Sequence, residues 1–368
     1  MKILLLPNSF KGSLSARQTT RVLTSVLQTK HQVKSFPLSD GGDGFVDFFS
    51  MLHPSACKVY LQAQNAFGQK KITSYLWLNS QKTAVIETAR ICGLGSAKKE
   101  DLSPLTATSF GVGQAIAHAL KKGAKKIYIG LGGVACNDGG YGIATALGIK
   151  FLDKKNQLLP LGARPLLALH HIDLNNIEKK LKNVKIYAVA DVTNPMLGPL
   201  GSAKIFGPQK GACAAEVSTL EKALSVYAKV VQKITGKNIS STPSTAAAGA
   251  LCAGLYGLLG AEIILGSDFL HRHLPLKKWI EWADLVITTE GKLDRQTFYG
   301  KAPWAVLQEA ALQQKKVLFI CGMYEKFFSA KLPKRLKLSV LCLSDFAPSL
   351  QDSICHTAKY LKKSVKNI

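Results

Sequence analysis

The stretch "KKIYIGLGGVACNDGGYG", Lys125 to Gly142, sets an apolar strand directly against a glycine turn that carries Asn137 and Asp138. Much earlier the chain writes nearly the same thing: "SDGGDG", Ser39 to Gly44, follows "VKSFPL". Asp and Gly are the residues of tight turns, so both stretches read first as turns. An acid behind a strand is also placed to hold a ligand, because open α/β sheets bind at the carboxyl ends of their strands.

At the start of the sequence, "KILLL" (Lys2–Leu6) is a continuous apolar run of the kind found in a strand buried on both faces. "SARQTTRVLTSVLQTK" follows at helical period, with Ser13 or Ser15 as N-cap. Then come strand "QVKSFPL" and a helix opening at Gly41. The pattern changes at "KVYLQAQNAFG", "KKITSYLWLN" and "TAVIETA", three strands joined by turns without helices. From "DLVITTEG" onward, strand and helix alternate again. Both ends of the chain therefore predict doubly wound α/β structure with a parallel sheet, interrupted by an inserted mixed α/β block. The boundaries are drawn at 1–64 plus 284–368 for the discontinuous domain and 65–283 for the insert.

With 368 residues, 47% of them hydrophobic, the chain can bury a large core. The apolar start stops at Pro7, too short for a signal core. "AAAGALCAGLYGLLGA", Ala246 to Ala261, is made of small residues, falls short of the roughly 20 residues a membrane span needs, and is followed by Glu262. It reads as a buried helix packed closely through Gly and Ala. Eight scattered cysteines without a C-x-x-C pair fit reduced thiols in a cytoplasm, and Cys321 and Cys342 look strand-borne, there for packing. The formal charge of +25 raises nucleic acid as a partner. Its lysines are dispersed at element ends, which argues instead for a positive field that favours small anionic substrates.

The strand ends gather chemistry. "PNSFKGSLSA" offers Ser9 and Lys11 ahead of a helix, where free N–H groups favour an anion. Asp40 and Asp43 share one turn, Asn137 and Asp138 another, and Asp191 and Asn194 lie in "ADVTNPMLGP". "TEGKLDRQT" crowds Glu290, Lys292, Asp294 and Arg295 into one loop, and "SAKIFGPQKGA" presents Lys204 and Lys210. Acids and bases mixed on glycine turns suit a phosphorylated ligand with a divalent metal, since Mg²⁺ takes a few carboxylates plus phosphate oxygens. No G-x-x-x-x-G-K-[ST] is present, which excludes a P-loop enzyme. Gly130, Gly132 and Ala135, with Asp153 further on, imitate a dinucleotide fingerprint and keep an NAD(P)-dependent oxidoreductase as the rival reading. Against it, Gly139 and Gly140 fall where the Rossmann helix should begin. His170-His171 and His271-Arg272-His273 lack zinc spacing and read as surface, and no nucleophile elbow appears.

Together, "PNSFKGSLSA", "DGGDG", "IETA", "TATSFGVG", "IGLGGVACNDGGYGIATALG", "ADVTNPMLGPLGSAKIFGPQKGA" and "DLVITTEGKLDRQTFYGKAP" resemble the bacterial-type glycerate kinase family, in the right order. That resemblance implies phosphorylation of D-glycerate by ATP with Mg²⁺, at the 2-hydroxyl before the 3-hydroxyl. It also implies a flavodoxin-like domain, a second α/β domain inserted into it, and a cleft between them. The chain departs from the family pattern at Asn8 (usually Asp), at Phe45 (usually Thr), at Val134-Ala135-Cys136 (usually Ser-Ala-Thr), at "PSTAAAGA" (Pro243–Ala250, usually richer in Gly) and at Thr289 (usually Gly). These changes keep a catalytically altered relative in view.

Roles then follow as expectations. Asp191, with Asp294 and Lys11, serves catalysis, Asp191 as the base for the glycerate hydroxyl. Ser9, Lys11, Arg90 and Asp40 bind substrate, with Lys11 or Arg90 on its carboxylate. Gly132, Gly133, Asn137, Asp138, Gly139, Gly140, Lys210 and Lys292 bind nucleotide, and Asp191, Glu290 and Asp294 hold the metal. Glycerate and ATP are the expected partners, with no nucleic acid and no membrane, and a homodimer is left open.

Overall fold

A computed structural model describes residues 1–95, 97, 99–175, 177–298, 300–325, 332–333 and 335–368, and only the backbone at 99, 295 and 296. Its strands, in chain order, are β1 (Lys2–Pro7), β2 (Gln32–Ser35), β3 (Cys57–Gln64), β4 (Lys70–Leu78), β5 (Thr83–Glu87), β6 (Lys126–Leu131), β7 (Lys150–Leu152), β8 (His171–Asp173), β9 (Lys185–Ala190), β10 (Glu262–Leu265), β11 (Leu285–Leu293), β12 (Lys316–Tyr324) and β13 (Lys337–Cys342). The protein is mixed α/β, with one parallel sheet and a further mixed sheet, as expected. By contact it divides into two compact units, Met1–Phe48 with Leu265–Ile368, and Phe49–Ile264.

The first unit holds a five-stranded sheet in the order β13-β12-β11-β1-β2, every pairing parallel. Its centre joins the two ends of the chain, Ile3 pairing with Leu285 and Pro7 with Thr289. The apolar run of β1 is buried from Ile3 onward because helices cover both faces of a parallel sheet. The helix Ala16–Leu27 starts at Ser15, not Ser13, in a capping box with Gln18. It turns Ala16, Thr19, Thr20, Leu23 and Leu27 inward at the helical repeat.

In the second unit a six-stranded sheet runs β10-β9-β6-β5-β4-β3. Here β3, β4 and β5 are antiparallel, as the strand run without helices predicts, and β5, β6 and β9 are parallel. The three parallel strands therefore end together, in Glu87, Leu131 and Ala190. The helix Ala214–Thr235 buries Leu220, Ala223, Leu224, Tyr227, Ala228 and Val231, one stripe of its surface.

The small-residue segment is a helix over Ala247–Leu259, buried along almost its whole length. Its composition follows from what it touches: a Cβ on Gly254 would stand 2.4 Å from the Gly139 carbonyl oxygen. One feature departs from the sequence expectation. Ala248, Gly249 and Ala250 have φ of 54°, 68° and 62°, a left-handed turn. It is forced by close approach, since a Cβ on Gly249 would lie 2.1 Å from the Cys136 carbonyl oxygen and Gly139 N–H donates to the Gly249 carbonyl at 3.2 Å.

Left-handed alanine costs roughly 1–2 kcal/mol, whereas the extra backbone freedom of glycine costs roughly 0.5–1 kcal/mol. Ala248→Gly is therefore expected to raise stability by about 0.5–1 kcal/mol in urea unfolding. A midpoint that stays level or drops refutes strain at this turn.

Candidate functional site

In the second unit the site grows from the carboxyl ends of β5, β6 and β9. Asp138 is fully buried and accepts five hydrogen bonds: Ser109 N–H at 2.8 Å, Ser109 Oγ at 2.9 Å, Thr108 Oγ1 at 3.3 Å, Gly142 N–H at 3.1 Å and Gly140 N–H at 3.1 Å. Burial raises its pKa, and those donors pull the other way. Asp138 thereby ties the glycine turn to the segment Thr108–Ser109.

Its neighbour Asn137 differs. Asn137 Oδ1 accepts from Lys210 Nζ at 2.7 Å, and the same ammonium donates to the Cys136 carbonyl at 2.6 Å. Both side chains are buried, Asn137 at 0% and Lys210 at 2% exposure. The Asn137 Nδ2 atom has no hydrogen-bond partner among the described residues. An orphaned buried donor costs about 1–3 kcal/mol, which a ligand oxygen would recover. Gly132 N–H reaches Thr88 Oγ1 at 3.4 Å, and the Gly133 carbonyl accepts from Leu94 N–H at 2.7 Å. Asp191 follows β9 directly and is half-buried. Arg90 Nε lies 3.2 Å from Glu87 Oε2, a buried partner that the sequence reading missed.

The dinucleotide fingerprint fails its structural test. The helix behind Gly130–Ala135 starts only at Tyr141, after the Asp138 turn. Asp153 accepts from Lys155 N–H and Gln157 N–H, as a turn former.

In the first unit, Asp40 and Glu290 are buried. Asp40 Oδ2 accepts from Asn8 Nδ2 at 3.1 Å and from Ala302 N–H at 3.2 Å, capping the helix Ala302–Leu312. Asn8 Oδ1 accepts from Ser9 N–H at 2.9 Å, and Lys11 is exposed. Asparagine at position 8 is the fitting residue here, because an aspartate would place a second carboxylate against Asp40. Thr289, another departure, donates its hydroxyl to the Asn8 carbonyl at 2.7 Å.

Glu290 lies against Lys301 Nζ at 2.5 Å and Thr297 Oγ1 at 2.8 Å. Lys301 Nζ is also 3.9 Å from Asp294 Oδ1, so one ammonium gathers both carboxylates. Lys292 is exposed, 2.7 Å from Glu325 and 3.8 Å from Asp294, and its pKa is raised chiefly by the Glu325 hydrogen bond. The Arg295 side chain lies outside the described residues. Lys301 escaped the sequence reading because its only signal is a place just ahead of a helix. No three His, Cys, Asp or Glu side chains are grouped to hold a metal among the described residues. Two carboxylates, Glu290 and Asp294, do converge here, which suits a Mg²⁺ that keeps water and phosphate oxygens in its shell. Asp191, named with them in the sequence reading, belongs to the second unit.

Comparison with known proteins agrees with the sequence resemblance. The glycerate kinase family model matches residues 3–368. Glycerate 2-kinase of Escherichia coli K12 is 37% identical over 325 residues, 88% of this chain and 85% of that protein. Glycerate kinase of Halalkalibacterium halodurans is 31% identical, covering 100% of this chain and 97% of its own. A crystal structure from Salmonella typhimurium LT2, provisionally assigned as glycerate kinase 2, superposes with a TM-score of 0.77 at 30% identity, over 100% of this chain and 96% of that one. No helix of the described residues is long and apolar enough to cross a membrane.

Burial lifts the Glu290 pKa from 4.5 to about 7, outweighing the opposing pull of Lys301 and Thr297. Between those values the unfolded chain ionises Glu290 while the folded protein keeps it protonated, so unfolding releases a proton. Stability relative to Glu290→Gln should then fall as pH rises through this window, by on the order of 3 kcal/mol, and level off above it. Chemical denaturation of both proteins across pH checks this. Parallel profiles would place the Glu290 pKa in the ordinary range.

Proposed function

Because the chain belongs to the glycerate kinase family, we propose that it transfers the terminal phosphoryl group of ATP to the 2-hydroxyl of D-glycerate, giving 2-phosphoglycerate. The choice of the 2-hydroxyl is supported by the relative from E. coli, which is named for that position. The observation that carries the reading is the orphaned Asn137 amide beside the buried Lys210 ammonium, on a glycine turn at a strand end. A buried cation and an unpaired donor fit phosphate oxygens, and neither serves an apolar core.

Phosphoryl transfer needs little covalent help from a protein, so positioning and charge neutralisation carry most of it. Asn137, Lys210 and the backbone of Gly132 and Gly133 bind the nucleotide phosphates, while Asp138 and the Gly139–Gly140 pair keep that turn rigid. Asp191 accepts the proton of the glycerate hydroxyl; its place immediately after a buried strand limits its motion. Arg90, oriented by Glu87, neutralises the glycerate carboxylate. In the first unit, Glu290 and Asp294 would hold Mg²⁺, which when bound neutralises charge on the transferring group. Lys301 keeps the two acids together, and Asp40 fixes the helix that begins beside Lys301.

A coupled ADP-release assay should show turnover that requires D-glycerate, with phosphorus NMR placing the new ester at the 2-position. Asp191→Asn should keep its circular dichroism spectrum and lose about 10²–10⁴-fold in turnover. ADP formation indifferent to glycerate would overturn the function, and near-normal turnover of the variant would remove Asp191 as base.

A further inference from the structure

We propose that Cys321 and Cys342 are a thiol–disulfide exchange site, closing to a reversible intrachain disulfide beside the acid cluster of the first unit. The two residues stand directly opposite one another on the neighbouring parallel strands β12 and β13. Adjacent strands lie about 4.8 Å apart, within the range of Cα separations that a disulfide spans. Each thiol already reaches across: Cys321 Sγ is 3.6 Å from the Leu341 carbonyl, and Cys342 Sγ is 3.4 Å from the Gly322 carbonyl. Neither sulfur needs to cross the sheet to meet the other.

The pair is asymmetric, as exchange requires. Cys321 is wholly buried, while Cys342 keeps 4% exposure and closes its strand just ahead of the turn Leu343–Phe346. Cys342 Sγ also lies 3.0 Å from Ser344 Oγ. Cys342, the less buried of the two sulfurs, is thus the attacking thiol and Cys321 the resolving one. Three other thiols (Cys57, Cys213 and Cys355) are exposed, which gives an internal reference for random oxidation.

The reductant is the protein dithiol and the oxidant a low-molecular-weight disulfide. The Cys342 thiol gives up its proton as its sulfur attacks one sulfur of the small disulfide, forming a mixed disulfide and expelling one small thiolate, which takes up that proton. Cys321 sulfur then attacks the Cys342 sulfur, gives up its proton and expels the second small thiol. Two S–H bonds are lost from the protein and two are gained by the released thiols.

The location gives the bond a consequence. Cys321 is also in register with Glu290 on β11, so Glu290, Cys321 and Cys342 form one lateral row. A disulfide at this row replaces two thiols with one bond directly beside Glu290, changing the side-chain packing there. This last link rests on the reading of Glu290 as part of the kinase site; the disulfide itself does not.

The test incubates the full chain with glutathione disulfide, blocks remaining thiols under denaturing conditions, and maps peptides by mass. The expected product joins the Cys321 and Cys342 peptides with the loss of two hydrogen atoms and reverts with dithiothreitol. Cys321→Ser should trap a glutathione adduct on Cys342, and Cys342→Ser should form neither product while keeping its basal turnover. Glycerate-dependent turnover of the oxidised protein should drop several-fold and return on reduction. Both thiols still open to alkylation, with glutathione confined to the exposed cysteines, would overturn the site. A disulfide that forms without changing turnover would overturn its link to Glu290. Reduced protein with no glycerate-dependent turnover would count against the kinase reading alone, because the peptide map decides the disulfide separately.

Discussion

The buried carboxylate of Asp138 is the point on which the second unit's site depends. Five donors from two separate segments converge on it, and three of them are backbone or hydroxyl groups at the start of the helix Phe110–Lys121. Ser109 Oγ passes the constraint on by accepting from Ile143 N–H at 3.1 Å. The turn that presents Asn137 is therefore fixed from both sides. A buried charge without such partners would be costly, and here they come from the turn and from the segment Thr108–Ser109. Closing the Asn137–Lys210 contact then requires Gly249 to lie against Cys136, which is why the backbone accepts a left-handed turn of alanines.

In the first unit the comparable element is an ammonium. Lys301 stands between Glu290 and Asp294, and the helix that follows it is capped by Asp40. Two departures from the family pattern meet at this place. Asn8 donates to Asp40, and Thr289 donates to the backbone of Asn8. The substitutions therefore support one another rather than weakening the site.

Elements whose signal is local were legible in the sequence. The apolar run of β1, a cap at Ser13 or Ser15, the helix-free strand run β3 to β5 and the buried small-residue helix all announce themselves within a few residues. The acids at strand ends were legible as a set, but not their individual duties. Asp138 and Asn137 sit side by side, yet one gathers five donors and the other keeps a donor unpaired. Asp40 caps a helix 262 residues away, and Lys210 reaches 73 residues back to Asn137; no spacing rule encodes such pairings. The left-handed turn was hidden because alanine and glycine in series read as helix. Lys301 was missed because a lysine ahead of a helix is ordinarily a solvated one.

The central pairing of β1 with β11 has a consequence during synthesis. Ile3 leaves the ribosome far ahead of its neighbour Leu285. At about 5–20 residues per second the wait is roughly 15–60 s. Through that interval the nascent chain carries an apolar strand with one open edge, while the middle of the polypeptide can already assemble. Until the closing strand emerges, that edge of the sheet has no partner within the chain's own strand order.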